Sequence, residues 1–373
     1  MVNRERMVNK FLELVKIDSV SGFERKIADT LKLKLEELGM VVYEDDAGSK
    51  INTQAGNLIA RLPATGGSGA PLLLCAHMDT VEPGRGVKPV LEGDLIKSSG
   101  DTVLGADDKA GIAIIFEAVR VIKENQVKHG GLEVVLTVFE EGGLLGAANI
   151  DREKIESKIG FILDSDGPPG SIVTQAPTQD RISITVKGKS AHAGICPEKG
   201  ISAIEVAAKA IAGMKLGRID GETTANIGVI SGGKATNIVP DTVFIQGETR
   251  SLDGARVKKQ TGEIIDKARE AAEQFGAQLD IKVENLYREF NIDKDERVVK
   301  IAVEAARSIS LEPRLLSTGG GSDANMFNEK GISTVVLGIA MQNVHTTGEY
   351  IKIDDLVMGS KYIVEIVKSA QKY

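Results

Sequence analysis

The spacing of apolar residues in the first half of the chain alternates between two patterns. Apolar residues three or four positions apart at 5–16 and 109–123 predict amphipathic helices. Ser21 and Glu24 predict a capping box that begins a helix ending near Leu38. Short apolar runs predict buried strands at 41–44, 57–62, 72–77, 132–139 and 160–163, with a surface loop at 65–69. This alternation predicts an α/β fold with a mixed, mostly parallel sheet and helices on both faces.

The pattern changes after about residue 172. Strands at 181–187, 224–231, 242–250 and 278–287, with helices at 200–214 and 253–275, give the order β-α-β-β-α-β. This order is the ferredoxin-like pattern. A helix at 295–309, a strand at 335–339 and a helix from Asp354 then return to the first pattern. We therefore expect a discontinuous α/β domain at 1–174 and 288–373, with an α+β domain inserted at 175–287.

Ligand-type side chains recur where the predicted strands end and where one helix begins. They are His77 and Asp79, Asp107 and Asp108, Glu140 and Glu141, Asp164, and His345. Each has an ordinary explanation alone, since carboxylates cap helices and charged turns are solvated. However, charged groups beside buried strands are costly without a use, and open α/β sheets bind ligands at the carboxyl ends of their strands. Together these residues predict a metal site at one sheet edge.

Composition narrows the range of functions. The chain has 373 residues, so two domains are expected, and its net charge of −7 with 4% aromatic residues and no Trp argues against nucleic-acid binding. Two cysteines cannot form a disulfide framework. No apolar run approaches 18 residues, and the N-terminal helix has no apolar signal core, so we expect a cytoplasmic protein without a membrane segment.

Five motifs resemble those of the peptidase M20 family, the co-catalytic dizinc exopeptidases and amidases. They are Ala76-His77-Met78-Asp79-Thr80-Val81, Leu104-Gly105-Ala106-Asp107-Asp108-Lys109-Ala110-Gly111, Glu140-Glu141-Gly142, Leu163-Asp164 and Val344-His345-Thr346. The resemblance covers essentially the whole chain and is greatest to the peptidase T (tripeptidase) branch. It implies a phosphorylase/hydrolase-like zinc exopeptidase domain, with the inserted domain as a lid or dimerisation domain.

The resemblance also implies a role for each motif residue. His77, Asp107 and Asp164 would bind one metal ion, and Asp107, Glu141 and His345 the other, so that Asp107 bridges. Asp79 would hold the His77 imidazole, Glu140 would be the general acid/base, and the Asp107–Asp108 peptide bond would be cis. Spacing alone does not decide whether Asp107 or Asp108 bridges. Mixed imidazole and carboxylate ligands suit two zinc ions, with manganese or cobalt possible.

Substrate residues follow from the resemblance in the same way. The matching His192 and Asn237 would reach the substrate carbonyl, often across a homodimer interface, and Arg250 would bind a substrate carboxylate. The 319–324 turn, with Gly320 and Ser322, would be a substrate loop. Without the resemblance, these residues are a loop histidine, a turn asparagine, a surface arginine and a flexible turn.

The function expected is metal-dependent hydrolysis of the N-terminal residue from short peptides, as in a tripeptide aminopeptidase. Asp164, which is Glu in many carboxypeptidase and deacylase members, favours the aminopeptidase. An amidase acting on N-acyl amino acids is the enzymatic alternative, and a non-catalytic peptide-binding protein is the other. A binding protein would not need the free carboxylate of Glu140, so its presence favours catalysis.

Overall fold

The computed structural model describes residues 1–67 and 69–373, so Ser68 of the predicted 65–69 loop lies outside the described residues. The chain divides into two compact units. Unit 1 comprises Met1–Gln175, Asn291–Ser317 and Ser322–Tyr373, and unit 2 comprises Ala176–Phe290 and Thr318–Gly321. No helix within the described residues is both long and apolar enough to cross a membrane.

The regular elements follow one another along the chain in three parts. The first part contains α1 (Arg4–Val15), α2 (Arg25–Glu37), β1 (Val41–Glu44), α3 (Ala47–Ile51), β2 (Leu58–Leu62), β3 (Leu72–His77), β4 (Val90–Glu92), β5 (Leu95–Lys97), α4 (Ala106–Glu124), β6 (Leu132–Thr137), α5 (Leu145–Ala148), β7 (Ile159–Ser165) and β8 (Ser171–Ala176). The middle part contains β9 (Thr178–Lys187), α6 (Ala203–Gly213), β10 (Gly217–Arg218), β11 (Thr223–Gly232), β12 (Thr242–Ser251), α7 (Gly254–Phe275), β13 (Gln278–Tyr287) and β14 (Phe290–Asn291). The last part contains α8 (Arg297–Ser308), β15 (Arg314–Ser317), α9 (Asp323–Glu329), β16 (Ser333–Gly338), β17 (Tyr350–Lys352) and α10 (Ile353–Ser369).

Unit 1 is built on a mixed sheet in the order β1-β2-β6-β3-β7-β16-β8, with β15 beside β8. The four central strands, β6, β3, β7 and β16, are parallel. Strand β2 pairs antiparallel with both β1 and β6, and β8 pairs antiparallel with β16 but parallel with β15. The parallel register places Cys75 opposite both Val135 and Ile162. The carboxyl ends of the four central strands therefore lie along one edge, as the predicted fold class requires.

Helices cover both faces of this sheet. Every residue of β3 is buried, which explains its continuous apolar run. Leu74 and Ala76 point to one face and share a core with α4, while Cys75 points to the other and contacts Asp323 of α9. The predicted α/β class is confirmed.

Unit 2 has an antiparallel sheet in the order β13-β9-β12-β11, with β10 beside the start of β11. This is the strand order of a ferredoxin-like fold. Ile182, Ile184 and Val186 alternate along β9 and pack under α6 and α7, while the residues between them are more exposed. The predicted β-α-β-β-α-β order is therefore confirmed.

The predicted capping box at Ser21 and Glu24 is wrong. Helix α2 begins at Arg25, and Glu24 occupies the N-cap position without a side-chain cap hydrogen bond. The Ser21 hydroxyl instead donates to Asp79 Oδ2 at 2.6 Å. Ser21 therefore hydrogen-bonds to a residue distant in the sequence and not to the first turn of α2.

Candidate metal centre and active site

His77 is the last residue of β3, and its side chain is almost completely buried. Its Nε2 atom lies 2.9 Å from Asp107 Oδ1 and 3.9 Å from Asp164 Oδ1. Its Nδ1 atom lies 2.9 Å from the main-chain oxygen of Asp79 but 3.6 Å from the Asp79 carboxylate. The main-chain oxygen of Asp79 is therefore the nearer partner of the ring.

Asp107 lies in the turn that opens α4, and its two carboxylate oxygens face different histidines. Oδ1 contacts His77, and Oδ2 lies 3.1 Å from Nε2 of His345. Gly105, just before the turn, has φ +74, a conformation that favours glycine. The Asp107–Asp108 peptide bond is cis, which confirms that prediction. The carboxylate has the orientation that a bridging ligand needs.

Asp108 is an alternative ligand by distance alone. Its carboxylate comes within 4.8 Å of ligand atoms of His77 and Asp164. However, Asp108 is fully buried, Oδ2 accepts the main-chain N–H of His77, and Oδ1 accepts that of Gly111. Because both oxygens already bind main-chain amides, Asp108 is better suited to holding β3 against α4.

Glu141 completes a second group of ligand atoms. Its Oε1 atom lies 2.9 Å from Nε2 of His345, and Glu141 also lies within 4.8 Å of ligand atoms of His77 and Asp107. His345 follows β16 with φ +62, and about half of its side chain is exposed. One imidazole N–H cannot point at both Asp107 and Glu141, whereas a cation among the three groups would be bound by all of them. The donor set fits metal ions.

Glu140 and Glu141 occupy a tight turn shortly after the end of β6. The main-chain oxygen of Glu140 accepts from Gly143 and Leu144. A Cβ atom at Gly142 would lie 1.8 Å from the Phe139 ring, so the turn needs glycine there. Glu140 is only 8% exposed. Burial raises the pKa of its carboxyl well above the ordinary value, and the nearby negative charge of Asp164 raises it further.

The charges at this sheet edge are strongly coupled. Contacts with Asp107 and Glu141 raise the pKa of His345 to about 10. Burial would raise the pKa of Asp107, but hydrogen bonds from His345 and His77 keep it below its ordinary value. Burial also raises the pKa of Asp164, with the Asp107 charge adding to it. Acids held this close together favour neutralisation by cations, either protons or metal ions.

The sequence did not predict a role for two buried acids near these residues, Glu349 and Asp323. Glu349 accepts the main-chain N–H groups of Gly105 at 2.7 Å and Asp107 at 2.9 Å, so it links the His345 loop to the Asp107 turn. Asp323 accepts from the Thr137 hydroxyl, and burial raises the pKa of Asp323 to about 6. The only signals were a Glu four residues after His345 and an Asp at the start of a short helix.

Three predicted substrate residues lie in unit 2. His192 and Ile238 form an isolated antiparallel bridge, and the Ala193 N–H donates to the main-chain oxygen of Asn237, so His192 and Asn237 are neighbours. Nδ1 of His192 accepts from the Gly194 N–H at 3.2 Å, which leaves Nε2 to carry the ring proton. Arg250 is elsewhere on β12, where its Nε and Nη2 donate to Glu248.

The predicted substrate loop has mostly internal partners. The Gly320 N–H donates to the Thr318 hydroxyl. Ser322 is the N-cap of α9, its hydroxyl accepts from the Ala324 N–H, and its own N–H donates to Asn325. The amides of Gly320, Ser322 and Ala324 are thus occupied, so the structure gives Ser322 a capping role.

Comparisons with known proteins agree with this fold. The model of the M20 peptidase dimerisation domain matches residues 180–276, and the model of peptidase family M28 matches residues 57–193. The chain is 45% identical to the uncharacterized protein YqjE of Bacillus subtilis (strain 168), with both chains fully covered. It is 46% identical to aminopeptidase PepT of Bacillus cereus ATCC 10987, over 99% of both chains, with a TM-score of 0.89. It is 42% identical to a tripeptidase of Staphylococcus aureus subsp. aureus Mu50, over the full length of both chains, with a TM-score of 0.95.

A mixed α/β sheet with clustered histidines and carboxylates at the ends of its parallel strands, together with peptidase relatives over its whole length, defines a metallopeptidase. Within that class, the chain belongs to the peptidase M20 family. The resemblance inferred from the five motifs is confirmed.

Proposed function

We propose that this protein is an aminopeptidase that releases the N-terminal residue of tripeptides and other short peptides, using two metal ions. The orientation of Asp107 is the observation that carries the proposal, because each of its oxygens faces a different imidazole. His77, Asp107 and Asp164 would hold one ion, and Asp107, Glu141 and His345 the other. Zinc suits this mixture of nitrogen and oxygen ligands, and manganese and cobalt are the alternatives.

When bound, two such ions polarise the scissile carbonyl and lower the pKa of a water molecule. Glu140 takes the proton from the attacking water and then delivers it to the leaving amine. Its position in a buried turn beside Glu141, where burial and the charge of Asp164 raise its pKa above the ordinary value, suits a group that alternates between base and acid. Asp79 fixes the turn, because its carboxylate accepts the N–H groups of Glu140 at 2.9 Å and Glu141 at 3.2 Å.

Support for tripeptides comes from the relatives at 46% and 42% identity, which are described as an aminopeptidase and a tripeptidase. An exopeptidase must also recognise a chain end. We infer that Asp164 and the exposed Asp166 attract the free ammonium group, while Arg250 binds the terminal carboxylate. The main-chain oxygens of His192 and Asn237 already accept hydrogen bonds from nearby main-chain N–H groups. Nε2 of His192 is a donor suited to a substrate carbonyl.

A peptide panel tests this function. We expect the metal-loaded protein to release N-terminal residues from free tripeptides faster than from dipeptides, and to leave N-acetylated tripeptides largely intact. Amino acid release can be followed by chromatography, with metal content measured on the same sample. Faster hydrolysis of N-acyl amino acids would favour the amidase, and peptide binding without hydrolysis by metal-loaded protein would favour the non-catalytic alternative.

Arg250→Ala should raise KM for a tripeptide with a free carboxylate by about tenfold or more, as expected for loss of a charge-assisted contact. Amidating the substrate carboxylate should have a similar effect on the parent protein, and the two changes should not add. Arg256→Ala, in the same unit but paired with Asp220 and Glu222, is the matched control and should leave KM unchanged. An unchanged KM in Arg250→Ala would exclude this role.

We also propose a homodimer formed through unit 2. Strand β10 pairs only with Thr224 and Ala225 of β11, so the rest of the outer edge of β11 has no strand beside it within the described residues. Val229 and Ile230 on that stretch are 46% and 55% exposed. An open apolar edge pairs readily with the same edge of a second copy. The match to a peptidase dimerisation domain at 180–276 supports the same assignment.

If His192 acts on a substrate bound by the other protomer, two inactive variants should complement each other. Mixing Glu140→Ala with His192→Ala after subunit exchange should restore up to about a quarter of parental activity, since a random mixture pairs a sound Glu140 with a sound His192 at one site in four. Exchange can be verified with differently tagged protomers in a light-scattering experiment. No recovery despite verified exchange would place His192 on its own protomer's substrate.

A further inference from the structure

Strand β6 ends at Thr137, so the next residues have lost the strand partners that would bind their amides. Side chains take over instead. Asn57 Oδ1 accepts from Val138 N at 3.1 Å, and Glu24 Oε1 accepts from Phe139 N at 3.2 Å. The two oxygens of Asp79 accept from Glu140 and Glu141. Four consecutive amides, 138–141, are therefore held by side chains from three other parts of the chain.

Two of these supports depend on the segment 17–24, which precedes α2. Glu24 is fully buried, and its Oε1 atom also accepts from Gly22 N at 2.7 Å. The Ser21 hydroxyl donates to Asp79 Oδ2, the same oxygen that accepts from Glu141. Gly22 has φ +89, a conformation that favours glycine and lets the chain turn back toward Phe139. Ser21 and Glu24 thus serve the 138–141 segment and not the helix that follows them.

The segment 17–24 is itself anchored to the elements that carry the metal-ligand candidates. The buried ammonium of Lys109, at the start of α4, donates to the main-chain oxygen of Ile17 at 2.7 Å. Ser21 N donates to Thr80 O, and Thr80 N donates to Ser19 O, which forms a short bridge just beyond Asp79. The segment therefore cannot shift without moving residues beside His77, Asp79 and Asp107.

From these contacts we infer that Ser21 and Glu24 are positioning residues for the acid/base Glu140. Ser21 fixes the rotation of the Asp79 carboxylate, and Glu24 fixes the main chain one residue before Glu140. The inference rests on the proposed function, because it assumes that Glu140 transfers the proton. A proton-transferring carboxylate must be held within a few tenths of an ångström, which is the reason for so many supports around one turn.

Ser21→Ala should lower kcat by about tenfold, the scale seen when a partner of a ligand or catalytic group is lost, with KM and metal content unchanged. Ser21→Thr keeps the hydroxyl and should retain most of the activity. Glu24→Ala should also lower kcat, whereas Glu24→Gln should retain it, because one side-chain oxygen makes both hydrogen bonds. Ser49→Ala, an exposed serine of the same unit whose hydroxyl donates to Asp46 O, is the matched control.

A double variant separates this inference from the proposed function. If Ser21 acts through Glu140, adding Ser21→Ala to Glu140→Ala should reduce kcat no further. Near-parental turnover in Glu140→Ala alone would overturn the acid/base role itself. If Glu140→Ala has a strongly reduced kcat while Ser21→Ala keeps the parental kcat, only the positioning role is overturned. A fall in kcat that follows lost metal, or that Ser49→Ala shares, would also overturn it.

Discussion

Glu140→Ala should bind both metal ions as the parent does, yet turn over a tripeptide at least about 10²-fold more slowly. The reason is that Glu140 has no ligand role in the proposed site, while its buried carboxyl is the group placed to move the proton. Steady-state kinetics on protein of measured metal content gives the comparison. The fall should lie in kcat, with KM little changed, because substrate binding does not depend on the proton transfer.

Glu153→Ala is the matched control for this measurement. Glu153 is an exposed acid of the same unit, in the short 3-10 turn at Arg152–Lys154. Its replacement should leave kcat and metal content unchanged. If metal-replete Glu140→Ala instead keeps near-parental turnover, another group moves the proton and the assignment of Glu140 is wrong.

Asp107→Ala should lose both ions and with them all measurable peptidase activity. Among the residues that the structure describes, Asp107 is the one carboxylate with one oxygen facing His77 and the other facing His345, so its removal takes a ligand from each proposed ion. We expect the affinity for both ions to fall by at least about 10²-fold. This is the upper end of the effect of losing a residue that only hydrogen-bonds to a metal ligand, whereas Asp107 is itself a proposed ligand. Metal content after dialysis, measured by elemental analysis, is the readout.

His345→Ala and Asp164→Ala provide the contrast, since each removes a ligand from only one proposed ion. Each should retain one ion under conditions where Asp107→Ala retains none. Circular dichroism should confirm that all three variants remain folded. Retention of one ion by Asp107→Ala would show that Asp107 does not bridge, and Asp108 would then need to be tested in the same way.

The parts of the fold that sequence predicted well are those where burial dictates the pattern. Strand β3 is buried on both faces, so its apolar run marked both its bounds and the position of His77. In β9 one face is buried, and the alternation was equally clear. Strand β8 mixes Ser171, Thr174 and Gln175 with apolar residues, and the four-residue β15 is exposed throughout, so neither showed a usable pattern.

The candidate site divides in the same way. Ligand-type residues at strand ends could be found, because a charged side chain after an apolar run is conspicuous. Their supporting contacts could not, because these join residues far apart in the chain. Ser21 matched a local capping pattern and binds Asp79 instead, 58 positions away, and Glu349 supports Asp107 across 242 positions.

The sheet order of unit 1 has a consequence for biosynthesis. Strand β16 lies between β7 and β8, although those two strands follow each other in the chain. A nascent chain emerging from the ribosome therefore makes both neighbours long before the strand that separates them. His345 follows β16 in the chain. A nascent chain that ends before β16 therefore lacks both the strand that separates β7 from β8 and the second imidazole of the proposed site. In the proposed site, binding of both metal ions would therefore require synthesis and folding of the chain at least as far as His345.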